Sequence, residues 1–221
     1  MTQAEAQSIA SLSLGEIAAS LPGATAVFRR HKLDFCCGGA ESLAQAARHK
    51  GLDVEPIEAE LAALSAAPST LPENVDDLIE HILDRYHQVH RREMPELRAL
   101  AIRVERVHAG HPAAPKGLSD LLEHLHEELE SHMQKEEQIL FPLMRVGGSP
   151  MIAHPIGVMR HEHDSHGAEL KALSELTGDL TLPDDACTTW RALYAGLAKL
   201  AEDLTEHIHI ENNVLFPKFE A

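Results

Sequence analysis

The sequence is short of cysteine, aromatic residues and basic residues, and each shortage excludes something. Its three cysteines, Cys36, Cys37 and Cys187, are odd in number and two are adjacent, so no disulfide framework is expected. Aromatic residues make up 4% of the 221 positions. Leucine, alanine and glutamate are abundant, which favours helices. Lysine and arginine number 19 against 35 acidic residues, a formal charge of −16. A nucleic-acid partner is therefore excluded, because a phosphate backbone needs clustered cations. No apolar run reaches the ~18 residues of a membrane span. The start, Met1-Thr2-Gln3-Ala4-Glu5, has neither the basic stretch nor the apolar stretch of a signal peptide. The expected compartment is the cytoplasm. P-loop, G-x-G-x-x-G and G-x-S-x-G motifs are missing.

Histidine is abundant instead, with 16 residues spread along the chain. The local pattern predicts an all-α protein. Short helices fill the first part: Ser13 caps Leu14 to Ser20, Pro22 opens a helix to about Lys32, Glu41 to Lys50 ends on Gly51, and Pro56 to Leu64 closes the series. This small N-terminal helical domain, residues 1–67, is marginal in size for a core of its own. It needs support from the rest of the chain or from a second subunit, as in a homodimer. Ala66 to Pro72 has linker composition. Residues 74–221 then read as four long amphipathic helices with short connections: about 74–108, 116–146, 150–177 and 184–218. That is an up-down-up-down four-helix bundle.

Each long helix carries an apolar seam interrupted by polar residues. Leu83, His87, His90, Met94 and Leu97 run along the first helix, and Leu125, Leu129, His132, Glu136, Ile139 and Leu143 along the second. Ile156, Met159, His163, His166 and Leu170 run along the third, and Leu200, Leu204, His207, Glu211 and Val214 along the fourth. The second and fourth helices share H-x-x-x-E-x-x-[IV]-L-F-P, and the first and third share H-x-x-H. The two repeat offsets agree to within one residue. An alternating bundle brings the four histidine levels together about 17–21 Å from one end. A lone histidine in a seam is usually a hydrogen-bonded core residue. Two glutamates and several histidines in one layer need a compensating charge, which metal supplies.

Four histidines and two glutamates exceed what one zinc takes, and they suit two metals bridged by the carboxylates. Imidazole and carboxylate donors with open positions favour iron. His161-Glu162-His163-Asp164-Ser165 misses the second histidine of H-E-x-x-H, so a zincin reading fails. His90 and His166 stay open as ligands or as hydrogen-bond donors to ligands. Glu128 and Glu162 are candidates for hydrogen bonding to ligand histidines or for carrying protons. Cys36 and Cys37, before Gly38-Gly39 and a helix start, are candidates for a redox pair or for iron transfer. Cys187 reads as a packed thiol.

Asp34-Phe35-Cys36-Cys37-Gly38-Gly39, followed by His87, His132-x-x-x-Glu136, His163 and His207-x-x-x-Glu211, resembles the iron–sulfur cluster repair di-iron family. In that family a cysteine-bearing domain precedes a hemerythrin-like bundle. The resemblance covers nearly the whole chain. It implies that His87, His132, Glu136, His163, His207 and Glu211 ligate two non-haem iron ions with an oxo or hydroxo bridge, and it favours His87 over His90 and His163 over His166. It further implies that damaged iron–sulfur proteins are clients and that the setting is oxidative or nitrosative stress. The alternatives are reduction of nitric oxide or peroxide at the centre, and sensing of dioxygen or nitric oxide.

Overall fold

Serine caps and glycine stops set the short helices where the sequence places them. In the computed structural model, which describes residues 8–64 and 71–220, α1 is Leu14–Ser20, α2 Ala24–Arg30, α3 Leu43–His49 and α4 Val54–Ala62. Ser13 and Ser42 each accept from the backbone three residues on, and Glu16 and Gln45 return the bond, so both starts are capping boxes. Gly51, just past α3, has φ of 67°, the left-handed geometry that glycine adopts without a side-chain clash. Phe28, Phe35, Leu43, Ile57 and Leu61 form the core of this part. The linker expected from Ala66 falls largely on residues 65–70, outside the described residues.

The four long helices are α5 (75–107), α6 (118–145), α7 (Ala153–Thr177) and α8 (188–215). Ion pairs fix their directions. Arg91–Glu130 and Arg98–Glu123 run in opposite senses along α5 and α6. Lys135–Glu162 and His124–Glu169 do the same for α6 and α7, and Arg85–Asp203 and Lys199–Glu93 for α5 and α8. This is an up-down-up-down arrangement with α5 beside both α6 and α8. Leu118, Leu122, Leu125, Leu193, Leu197 and Leu204 are all fully buried in the bundle. No helix among the described residues is long and apolar enough to cross a membrane.

By contact density the chain forms two units. One comprises residues 72–207, and the other comprises residues 1–71 together with 208–221. Within the latter, Asn212 and Asn213 donate to the carbonyls of Cys36 and Phe35 at 2.9 and 3.0 Å. His209 is 1% exposed and sits edge-on to Phe35 at 5.4 Å.

Among the described residues the helical period is broken at three places. Leu83–His87, Glu136–Leu140 and Glu211–Leu215 are single π-helical turns, closed by bonds from Gln88, Phe141 and Phe216 to the carbonyls five residues back. Each turn holds one extra residue and rotates everything beyond it. The regular seams predicted from the sequence therefore fail past these points. Ile139 is 54% exposed, whereas Leu140 is buried. Val214 is half-buried and Leu215 takes the core position, and on α6 Met144 replaces Leu143. Pro142 and Pro217 stand two residues beyond two of the turns, after Phe141 and Phe216. Lacking an N–H, each removes an α-helical bond that would compete with the wider turn.

Candidate metal centre

All three π turns adjoin the polar layer. His87 ends the first, Glu136 starts the second and Glu211 starts the third. His132 and His207 stand one turn before the two glutamates, and His163 lies in the unbroken α7. All six residues are between 0% and 1% exposed.

Glu136 lies between histidines of two helices. Its Oε2 is 3.4 Å from His87 Nε2 and its Oε1 is 3.3 Å from His132 Nε2. His163 Nε2 is 3.1 Å from His132 Nε2, and the His87 and His207 rings are 5.0 Å apart. Two donor sets result, with all donor atoms of a set within 4.8 Å of one another: His87, Glu136, His207 and Glu211, and His132, Glu136, His163 and Glu211. Both glutamates belong to both sets. Burial holds the His207 imidazole well below the ordinary histidine range, so it is neutral at pH 7 and offers a lone pair. Two carboxylates and four imidazole nitrogens converging in a dry layer make an anionic donor set of the kind that cations occupy. Two ions, each taking two imidazoles and sharing two carboxylates, fit this donor set.

The outward nitrogens of two of these histidines are tied down. His87 Nδ1 meets Glu137 Oε1 at 2.8 Å, and Arg91 donates to the same oxygen at 2.7 Å. His132 Nδ1 meets Glu162 Oε2 at 2.9 Å, and Lys135 donates to Glu162 Oε1 at 2.6 Å. The His132 bond foremost, with Lys135 and against burial, holds the Glu162 carboxyl down to about 2. A carboxylate on Nδ1 fixes the proton there and leaves Nε2 free towards the centre.

The remaining candidates are distributed as follows. Glu162 touches His132, across from its own helix, and not the adjacent His163. Glu128 lies on the exposed face of α6. Glu137, which lies outside the apolar seam of its own helix, occupies the orienting position on His87; only the neighbouring helix reveals this. His90 and His166 are buried but belong to neither donor set. His90 lies against His207 at 5.6 Å, and burial above all lowers it to about 3. His166 bonds Glu169 at 3.0 Å. Cys36 and Cys37 are reduced thiols in the loop between α2 and α3. Cys187 is half-buried just before α8. His108, 3.2 Å from its sulfur, is the main cause of a thiol pKa lowered to about 7.

Two family models match. The hemerythrin HHE cation binding domain covers residues 78–219, and a domain of unknown function, DUF542, covers residues 10–65. The iron-sulfur cluster repair protein YtfE of Dickeya chrysanthemi is 49% identical over 210 residues, which is 93% of this chain and 95% of the relative. The proteins of that name from Citrobacter koseri and Escherichia coli O17:K52:H18 are 50% and 51% identical, over 93% of this chain and 94% of theirs.

Proposed function

The chain belongs to the hemerythrin-domain family of iron–sulfur cluster repair proteins, and on that premise we propose that it restores clusters damaged by oxidative or nitrosative stress, with iron as its cargo. The observation that carries this reading is the pair of donor sets sharing Glu136 and Glu211. His87 and His207 would hold one iron and His132 and His163 the other, with the two glutamates bridging. Two irons bound there supply exchangeable metal at a site that excludes bulk water.

The chain's own residues set how firmly that metal is kept. Glu136 and Glu211 bring negative charge to a dry layer, where a cation is worth most. Burial keeps His207 unprotonated, so protons compete poorly for it at neutral pH. Glu137 and Glu162 hold the His87 and His132 rings in one orientation and one tautomer. Cys36 and Cys37 are the candidates for passing iron on or for redox exchange with a client. The clients are iron–sulfur proteins of the same compartment, taken here as the cytoplasm.

The test uses protein purified without oxygen, with its metal measured, and a hydro-lyase whose cluster has been damaged by nitric oxide. Addition of the protein should restore lyase activity and move iron to the client, with no reductant-driven turnover. Glu136→Ala and Glu211→Ala should each lower bound iron and visible absorption, and should abolish recovery. Full iron content and an unchanged spectrum in both variants would remove the bridging assignment. Recovery by those variants equal to the wild type would remove iron supply from this centre.

A further inference from the structure

The loop Asp34-Phe35-Cys36-Cys37-Gly38-Gly39 holds a third set of converging donors, separate in residues from the two described above. Cys36 Sγ is 3.8 Å from Cys37 Sγ and 3.4 Å from Asp34 Oδ1, and one donor atom of each of the three residues lies within 4.8 Å of the others. A tetrahedral ion with metal–sulfur bonds of about 2.3 Å separates two thiolates by about 3.8 Å, and a thiolate from a carboxylate oxygen by about 3.6 Å. The three donors therefore already stand near the spacing of three corners of such a site.

The loop is built to keep them there. The Cys37 N–H donates to Asp34 Oδ1 at 3.0 Å, which folds the carboxylate back over the cysteines. The carbonyls of Cys36 and Phe35 are held by the Asn212 and Asn213 amides. A Cβ on Gly38 would stand 2.8 Å from the Asp34 carbonyl oxygen, and one on Gly39 would stand 2.6 Å from that of Phe35. These contacts are with backbone, so only glycine permits the turn that presents the donors. Cys36 is buried, Cys37 is partly exposed and Asp34 is exposed, which leaves the fourth position open to water.

We propose that Asp34, Cys36 and Cys37 form an additional, open metal site for one borderline divalent cation, of the class of iron(II) and zinc(II). Two thiolates select borderline metals over magnesium or calcium, and one carboxylate brings the donor charge to an excess over the ion. Without a cation, the hydrogen bond with Cys37, burial and the nearby Asp34 charge all hold the Cys36 thiol protonated. A divalent ion reverses that balance and releases the thiol protons on binding. Three protein donors and one open corner make an exchangeable site, whereas structural sites close all four. For its purpose, handing on iron, the site rests on the repair reading; for its chemistry it rests on these three donors.

Cobalt(II) is the probe, because a thiolate-to-cobalt charge-transfer band in the near ultraviolet cannot arise from histidine and carboxylate ligands. The full-length chain carrying Cys187→Ser, reduced and free of oxygen, is titrated with cobalt chloride. With the histidine–glutamate centre kept loaded with iron, the band should appear and saturate at one cobalt per chain. Cys36→Ser and Cys37→Ser combined should abolish it. Asp34→Asn keeps the bond to the Cys37 N–H but loses the charge. Loss even of a residue that only orients a ligand costs 10-fold upward, so this variant should need over about 10 times more cobalt. Absence of the band in the Cys187→Ser chain, or its survival in the double serine variant, would overturn the site. Unchanged cobalt affinity in Asp34→Asn would overturn the three-donor arrangement. The hydro-lyase recovery assay, run in parallel, reads the repair reading separately, so either can fail while the other stands.

Discussion

Replacing Glu137 by glutamine tests how the metal layer is kept in order. Glu137 accepts from His87 Nδ1 at 2.8 Å and from Arg91 at 2.7 Å, through the same oxygen. Glutamine preserves the shape, but its neutral oxygen accepts more weakly and its amide N–H₂ has no acceptor among these groups. A hydrogen bond to a charged partner contributes about 1.5–3 kcal/mol. Loss of a residue that orients a metal-bound histidine costs about 10- to 100-fold in affinity, or about 1.4–2.7 kcal/mol. The Glu137 side chain is 29% exposed, so solvent screening places the effect at the low end, about 10-fold. The matched control is Glu130→Gln. Glu130 is 32% exposed and pairs with the same Arg91, but it touches none of the histidines of the two donor sets. The assay is chelator competition for iron in oxygen-free protein, with folding followed by circular dichroism. Glu137→Gln should lose iron at about one-tenth of the wild-type chelator concentration, whereas Glu130→Gln should match the wild type. Equal iron retention in the two variants would refute the orienting role.

Three other outcomes follow from the same geometry. His87→Ala and His163→Ala should lose metal, while His90→Ala and His166→Ala, outside both donor sets, should keep it with affinity reduced by at most about 10-fold; the reverse result, read by metal analysis, would move the site by one turn along α5 and α7. His90, His207 and His209 are all held low by burial, His90 to about 3 and His209 to about 4. Their folded values lie below the unfolded value of about 6.5, so the stabilisation from keeping them neutral is complete above that pH and is lost as pH falls from it, approaching about 1.4 kcal/mol per pH unit for each histidine. Urea melts of metal-free protein between about pH 7 and pH 4 should show that decline, and a flat profile would contradict it. Gly39→Ala should destabilise the protein by about 1–3 kcal/mol through overpacking against the Phe35 carbonyl and Asn213, seen as a lowered melting temperature; an unchanged melt would show that the loop yields.

The four long helices were legible because their periodicity is strong, and the polar layer because glutamates and histidines interrupt otherwise leucine-rich seams in matching places. Serine at 13 and 42 and glycine at 51 carried the short helices through local hydrogen bonding and backbone freedom alone. What escaped the sequence were relations across helices and breaks of period. Glu137 looks solvated on its own helix, and only α5 supplies the His87 and Arg91 that engage it. Ile139 fits the seam of an ideal helix, but the π turn at Glu136–Leu140 moves the core position on to Leu140. A periodicity count assumes one hydrogen-bond register from end to end and cannot contain such a shift.

The π turns also set regularity of the backbone against the quality of the core. Deleting one residue within Glu136–Leu140 would restore the ordinary hydrogen-bond ladder of α6. The same deletion would swing Phe141 and Met144, both buried, about 100° around the helix axis and out of the interior. Helix propensity alone would score the shortened sequence as an improvement, while the folded protein would expose two large apolar side chains. Selection for helical stability in an isolated segment would thus work against the intact bundle, and an engineered copy of this centre has to carry its extra residues along with its ligands.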